Sequence, residues 1–392
     1  MLYLDHAATT PVRPEVLEAM LPFYTSRFGN PSSHHTVGEA AAAALADARA
    51  RVAAVLGMRP ADIVFTSGGT ESDNLAVKGL AVGALLRRRA ARRGESHTGP
   101  DAPLHVVTTP VEHEAVLASC DHLERVHGVA VTRLPVDATG SVSADDLAAA
   151  LRPETALVSI GYANNEIGTV QDVAALSAVT TAARVPMHLD AVQAAGWLPL
   201  AGTGADALSL AGHKIGAPAG IGVLAVRARL PLEPMLHGGG QERDRRSGTE
   251  NLAGAVGFAR ALELAEAERL EASERVGALR DRFVERVRQL VPSATVTGHP
   301  RRRLPGTASF TFAGTSGEAV LLELERRGVV TSSGSACAAG SDEPSHVLLA
   351  CGMDPATAQT AVRFTFGHGH TADLAPVADA VAAAVAAVRS GA

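Results

Sequence analysis

Seven short apolar runs, several of them separated by helical patterns, constrain this chain more than any other feature. Asp62–Thr66, Leu104–Thr108, Val129–Thr132, Ala156–Ile160, Pro186–Asp190, Asp206–Leu210 and Ile221–Val226 are rich in Val, Ile and Leu and too short for ordinary helices. Helical patterns fall between several of them, at Glu71–Arg89, Glu114–His127 and Asp172–Ala183. This alternation predicts an α/β unit with a mostly parallel sheet and helices on both faces. Ligands of such sheets bind beyond the carboxyl ends of the strands, so the residues just after each run are where chemistry is expected.

The rest of the chain predicts a second, smaller unit. A charged helical stretch, Ala253–Leu290, leads to strand-like Thr307–Phe312 and Val362–Phe366, a Gly/Ser-rich loop around Cys337, and an Ala-rich closing helix. The expected division is a large unit over 15–255 and a smaller α+β unit built from 1–14 with 256–392. A length of 392 residues is ample for two cores.

Several function classes are disfavoured at once. A net charge of −6 argues against a nucleic-acid or membrane surface. The nearest thing to a basic patch, Arg87–Arg89 with Arg92 and Arg93, reads as a solvated helix end. No apolar run is long enough to span a bilayer, and Met1–His6 does not resemble a signal peptide. Three scattered cysteines, Cys120, Cys337 and Cys351, make neither a disulfide framework nor a zinc cluster, so no metal is expected and a cytoplasmic location is. His237-Gly238-Gly239-Gly240 has the look of an esterase oxyanion loop, but the chain has no Gly-x-Ser-x-Gly elbow. Neither a P-loop nor a Gly-x-Gly-x-x-Gly fingerprint is present.

The chemistry is signalled by lysine usage. Lys214 is one of only two lysines, beside Lys78, and every other basic residue is arginine. A guanidinium cannot act as an amine nucleophile, whereas a lysine can form a Schiff base. Lys214 follows a predicted strand in Gly212-His213-Lys214, and Asp190 closes the preceding one. A Schiff-base lysine with an acid for a pyridinium nitrogen is what a protein contributes to pyridoxal phosphate (PLP) chemistry. The turn Ser67-Gly68-Gly69-Thr70-Glu71-Ser72, between a strand and a helix, suits a phosphate: Gly69 permits close backbone approach, and Thr70 and His213 are side-chain donors. His113, beyond another strand end, is placed to stack on a ring and move protons. Arg363 offers a planar fork for an amino-acid carboxylate, with Asn165 as an assistant. Cys337 lies in Ser332–Gly340, a loop of small residues with no apolar pocket for a thiol. This suggests a nucleophile for substrate sulfur, while Cys120 and Cys351 read as packed thiols.

Longer motifs carry a family resemblance along nearly the whole chain. They include Tyr3-Leu4-Asp5-His6-Ala7-Ala8-Thr9-Thr10, Phe28–Ser33, Thr70-Glu71-Ser72-Asp73-Asn74, Asn164-Asn165-Glu166-Ile167-Gly168, Gly212-His213-Lys214, His237–Arg243, Arg246-Ser247-Gly248-Thr249 and Ser332–Cys337. With these the chain resembles the cysteine desulfurases of the NifS/IscS type, in the class V aminotransferase-like group. The resemblance implies PLP-dependent transferase fold type I, a homodimer, and conversion of L-cysteine to L-alanine with sulfur passed to an acceptor protein. It also implies that Lys214 carries PLP, Asp190 meets the ring nitrogen and Gln193 the ring hydroxyl. Thr70 and His213 would hold the phosphate with Thr249 of a second subunit, Arg363 and Asn165 the carboxylate, and Cys337 the sulfur. Glu343–Leu348 resembles the subgroup with a longer sulfur-carrying loop. Ala211 departs from the family, which usually has a phosphate-binding serine there. The alternatives are another PLP enzyme of the fold (aminotransferase, racemase or selenocysteine lyase) or a non-catalytic scaffold for a sulfur acceptor.

Overall fold

A computed structural model of the protein describes residues 1–92, 102–334 and 343–390. Its centre is a seven-stranded sheet in the order Ile63–Thr66, Gly222–Val226, Ala207–Ala211, Met187–Asp190, Thr155–Gly161, His105–Thr108 and Ala130–Arg133. Only Gly222–Val226 runs against the rest, pairing antiparallel with both neighbours. All seven predicted strands are present, most within a residue of their expected bounds. They were legible because helices bury most of these strands on both faces, which demands near-continuous apolar sequence.

Alternate residues face two different helix layers. Ile63, Phe65, Val107, Val158, Ile160 and Leu189 meet helices Pro14–Tyr24, Thr36–Leu56, Val173–Ala183 and the first part of Leu252–Leu290. Val64, Val106, Leu157 and Leu224 meet the Gly69–Arg92 helical segment and helix Glu114–His127. On this second face the apolar pattern gives way to Ser159, His188, Asp190 and Ser209, all toward the strand carboxyl ends.

The helical stretch expected at Glu71–Arg89 differs from a single regular helix. Gly69–Asn74 and Leu80–Arg92 are joined by a wider, π-type turn at Leu75–Gly79. Tertiary packing accounts for it: the Gly79 carbonyl accepts the Glu233 N–H at 3.0 Å. A Cβ on Gly83 would lie 2.4 Å from the Pro231 carbonyl oxygen. Backbone approach this close draws the helix toward the 231–233 segment.

A second, three-stranded antiparallel sheet has Thr307–Phe312 between Ala361–Thr365 and Ala294–Val296. It packs on the later part of the 39-residue helix Leu252–Leu290 and on helices Gly317–Arg326 and Ala375–Ser390. Phe283 stands edge-on to Phe310, Phe364 and Phe366 at centroid distances of 5.1–5.9 Å. Leu4 is buried in this cluster, and Leu2–Tyr3 pairs parallel with Val329–Val330. Residues 5–10 then run back toward the large sheet. Among the described residues no helix is long and apolar enough to cross a membrane.

Candidate active site

The strand carboxyl ends of the large sheet open into a cavity of about 920 Å³. It gathers residues from six stretches of chain that are far apart in sequence. Glu112 and His113 follow His105–Thr108, Asn164 and Asn165 follow Thr155–Gly161, and Asp190 and Gln193 follow Met187–Asp190. His213 and Lys214 follow Ala207–Ala211, Gly69 and Thr70 follow Ile63–Thr66, and Arg363 enters from the small sheet. Nine of the eleven residues singled out from the sequence therefore line one cavity. Thr249 is exposed and outside the lining of its own chain's cavity. Cys337 lies outside the described residues.

Local structure fixes each group. Gly69 starts the helical segment, and a Cβ there would meet Val192 at 2.9 Å. Glu71 accepts the Ser67 N–H at 2.7 Å and pairs with Arg246 at 2.9 Å, bracing the turn beside Thr70. Ala211 is buried and carries no hydroxyl toward the cavity it lines. His113 caps helix Glu114–His127 by accepting the Ala115 N–H on Nδ1 at 3.1 Å.

Residues 5–10 touch the site repeatedly. Lys214 Nζ donates to the carbonyls of Ala7 and, at 2.8 Å, Ala8. The Gln193 amide donates to the Ala7 carbonyl at 3.1 Å. Thr10 donates its N–H and hydroxyl to the His213 carbonyl, both at 2.9 Å. His213 itself is pushed down to about 4, first by burial and then by the nearby Lys214 charge.

The cavity floor is acidic in composition but short of counter-charge. Asp190 accepts the Val192 N–H at 2.9 Å; burial raises its pKa, and the charges of His113 and Lys214 pull it back. Asp73, 1% exposed, has an Oδ1 without a hydrogen-bond partner, and burial followed by the charge of Asp190 raises its pKa well above the ordinary value. Glu112 accepts the Thr109 hydroxyl at 2.6 Å and is pushed up to about 8, mainly by burial. Behind them His188 bridges the Ser159 and Ser209 hydroxyls at 2.9 Å each and is pushed down to about 3 by burial. Three carboxyl groups around a polar cavity favour an arriving cation.

Sequence reasoning passed over Asp73, Glu112 and His346, although all three line the cavity. Asp73 stands in the same motif as Thr70 and Glu112 immediately precedes His113, and that adjacency was the available signal. His346 Nε2 meets the Glu112 carbonyl at 3.0 Å, tying the segment after Cys337 to the turn that carries His113.

This donor set fits PLP. A lysine amine and a carboxylate within its electrostatic reach share the cavity, a strand-to-helix turn offers backbone N–H groups, and the unpartnered Asp73 oxygen leaves acid capacity at the floor.

Comparison with known proteins agrees. The Aminotransferase class-V family profile matches residues 2–374. An IscS-like cysteine desulfurase of Mycobacterium tuberculosis is 46% identical, covering 100% of this chain and 98% of the relative. The cysteine desulfurase IscS of Dictyoglomus turgidum is 43% identical, covering 93% and 89%. Among solved structures, a NifS-like protein superposes with a TM-score of 0.83 at 34% identity, covering 99% of this chain and 98% of that one. SspA in complex with cysteine gives 0.79 at 36% identity, covering 93% and 99%. The chain thus belongs to the class V aminotransferase family and, within it, to the PLP-dependent cysteine desulfurases.

Proposed function

We propose that the protein takes sulfur from L-cysteine, leaves L-alanine, and passes the sulfur through Cys337 to an acceptor protein for iron–sulfur cluster, thio-cofactor or tRNA biosynthesis. The observation that carries this reading is the convergence of Lys214, Asp190, His113 and Arg363 on one cavity. PLP bound there supplies an electron sink for the amino acid's Cα. Lys214 would hold the cofactor, with Asp190 meeting its ring nitrogen and Gln193 its hydroxyl. Gly69, Thr70 and His213 hold the phosphate. Arg363 and Asn165 orient the substrate carboxylate, and His113 moves protons at the substrate. The Cys337 thiolate attacks the substrate sulfur: the S–S bond forms as the substrate C–S bond breaks, and the electron pair stays with carbon, which takes up a proton. The persulfide is discharged to an acceptor thiol or a reductant.

The two described cysteines are poor rivals for that step. Burial pushes the Cys120 thiol up to about 12 and the Cys351 thiol up to about 11, so neither forms thiolate readily at neutral pH. The working molecule is read as a cytoplasmic homodimer in which Thr249 serves the partner's phosphate site. Support comes from Thr249's exposure and from the exposed apolar Leu17, Leu21, Tyr24 and Phe28. The same reading takes 15–255 as the cofactor domain and 1–14 with 256–392 as the smaller one; the two sheets carry separate apolar clusters, with Val256 to Ala265 of the long helix packed in the larger.

The test is to incubate the protein with L-cysteine and measure alanine and sulfide, with and without reductant. Cys337→Ser should still change the cofactor's absorbance on adding cysteine yet lose sulfide release. Wild-type protein stopped without reductant should carry one added sulfur on Cys337. Added sulfur on Cys120 or Cys351, or near-normal alanine production by Cys337→Ser, would overturn the assignment.

A further inference from the structure

Arg363 is an unusual residue to find sealed in a sheet. It is 1% exposed, and its guanidinium is held from three directions. Nη2 donates to Asp5 Oδ1 at 2.6 Å, and Nη1 donates to the carbonyls of Asn165 at 2.8 Å and Gly334 at 3.3 Å. Nε is buried without a partner. Asp5 is the only carboxylate within ion-pair distance of it among the described residues.

Asp5 does not line the cavity; its side chain is 16% exposed and stands behind Arg363. Its own position is well determined. Asp5 pairs with Thr365 as an isolated bridge, the Ala7 N–H donates to the Thr365 hydroxyl at 2.9 Å, and the Tyr3 hydroxyl donates to the Asp5 carbonyl at 2.9 Å. The carboxylate is thus anchored two strand positions from the arginine it meets.

We propose that Asp5 is a positioning residue for substrate, holding the Arg363 fork in register for an α-carboxylate while moderating the charge that the carboxylate meets. The proposal rests on the reading of Arg363 as the carboxylate clamp. A buried guanidinium without an anion is strongly unfavourable, and the substrate provides one only while it is bound. Asp5 provides it in the free enzyme. That same negative charge stands near the bound carboxylate and opposes it, so orientation is gained at the expense of affinity. The two contributions are separable by substitution. Asn at position 5 keeps an oxygen acceptor for Nη2 and removes the charge; Ala removes both.

The experiment titrates PLP-loaded protein with L-alanine, which carries the carboxylate, and with cysteamine, which lacks it, following the cofactor's absorbance. Asp5→Asn should tighten L-alanine binding about fivefold. Asp5→Ala should weaken it about tenfold or more, because the Nη2 end of the fork is no longer held and the buried charge loses its carboxylate. Cysteamine affinity and PLP content should be unchanged in both, a pattern that a purely structural role for Asp5 does not produce. If Asp5→Ala does not fold, Asp5→Asn decides alone: unchanged or weaker L-alanine binding overturns the proposal. Arg363→Ala separates the two levels. If it weakens L-alanine binding while Asp5→Asn leaves that binding unchanged, Asp5 is misread and the clamp stands; if it has no effect, the clamp itself is misread.

Discussion

The two sheets of this protein are buried to similar degrees and filled on opposite principles. The small sheet packs Phe283, Phe310, Phe364 and Phe366 largely edge to face, with the His370 ring against Phe366 at the margin of the cluster. The carboxyl-end half of the large sheet packs Ser159, His188, Ser209, Asp73, Asp190 and Glu112 into the same kind of space. Apolar burial there would have been more stabilising. Buried acids whose pKa values are raised, and an imidazole whose pKa is lowered, give stability up in return for a place where an incoming cation is welcome.

That contrast can be broken by pH. His188 sits near 3 in the folded protein against an ordinary value of 6.5. Above pH 6.5 both states hold it neutral and its stabilising contribution is complete. As the pH falls through 6.5 the unfolded chain gains a proton that the folded one refuses, so stability drops until about pH 3. The difference amounts to about 5 kcal/mol. Denaturant titrations of the cofactor-free wild type and His188→Gln from pH 7 to 4 should show the wild type losing this stability relative to the variant as the pH falls. An unchanged difference between the two would mean the ring is hydrated or already charged.

Phe283→Ala should cost about 3–5 kcal/mol. The loss should be nearly the same at pH 5 and pH 8, because the titratable ring recorded at the cluster, His370, lies against Phe366 and not against Phe283. A loss that varied with pH would show the two sheets to be coupled.

Glu112→Gln works in the reverse sense to His188. Glu112 sits near 8 when folded against 4.5 ordinarily, so the unfolded chain releases its proton first and stability declines as pH rises from 4.5 to 8. The variant should outlast the wild type by about 3 kcal/mol at pH 7 and by almost nothing at pH 4.5. Equal stability at both would place Glu112 among ordinary ionised carboxylates.

The smallest effect expected is that of Thr10→Val, which loses the hydroxyl's bond to the His213 carbonyl and its acceptance of the Gly216 N–H at 3.0 Å. About 1 kcal/mol should be lost by thermal or chemical denaturation. A loss several times larger would make residues 5–10 part of the rigid core.

What the sequence made legible follows the same contrast. Strands buried on both faces announce themselves as apolar runs, and residues at their carboxyl ends could be picked out by position and chemistry together, Asp190 as an acid closing a strand and Lys214 as one of two lysines. The Leu75–Gly79 turn was hidden, since its cause is backbone from residues 231–233. Asp5 was hidden for a related reason: it was visible inside a motif, but its partner Arg363 is 358 positions away, and pairing at that range leaves no local trace. Asp73 and Glu112 look like ordinary acids in helical and turn sequence. Only their enclosure by the sheet makes them unusual.

The long reach from Asp5 to Arg363 also sets a clock for biosynthesis. At roughly 5–20 residues per second, a ribosome needs about 20–70 s to travel from one codon to the other. From its synthesis until the end of that interval the Lys214 amine lacks a finished pocket, because the carbonyls that receive it belong to a segment docked along the Ala361–Thr365 strand. The nascent chain therefore cannot assemble a complete reactive centre piecemeal. Competence arrives late and all together, when the return strand comes out of the exit tunnel and the waiting segment closes onto it.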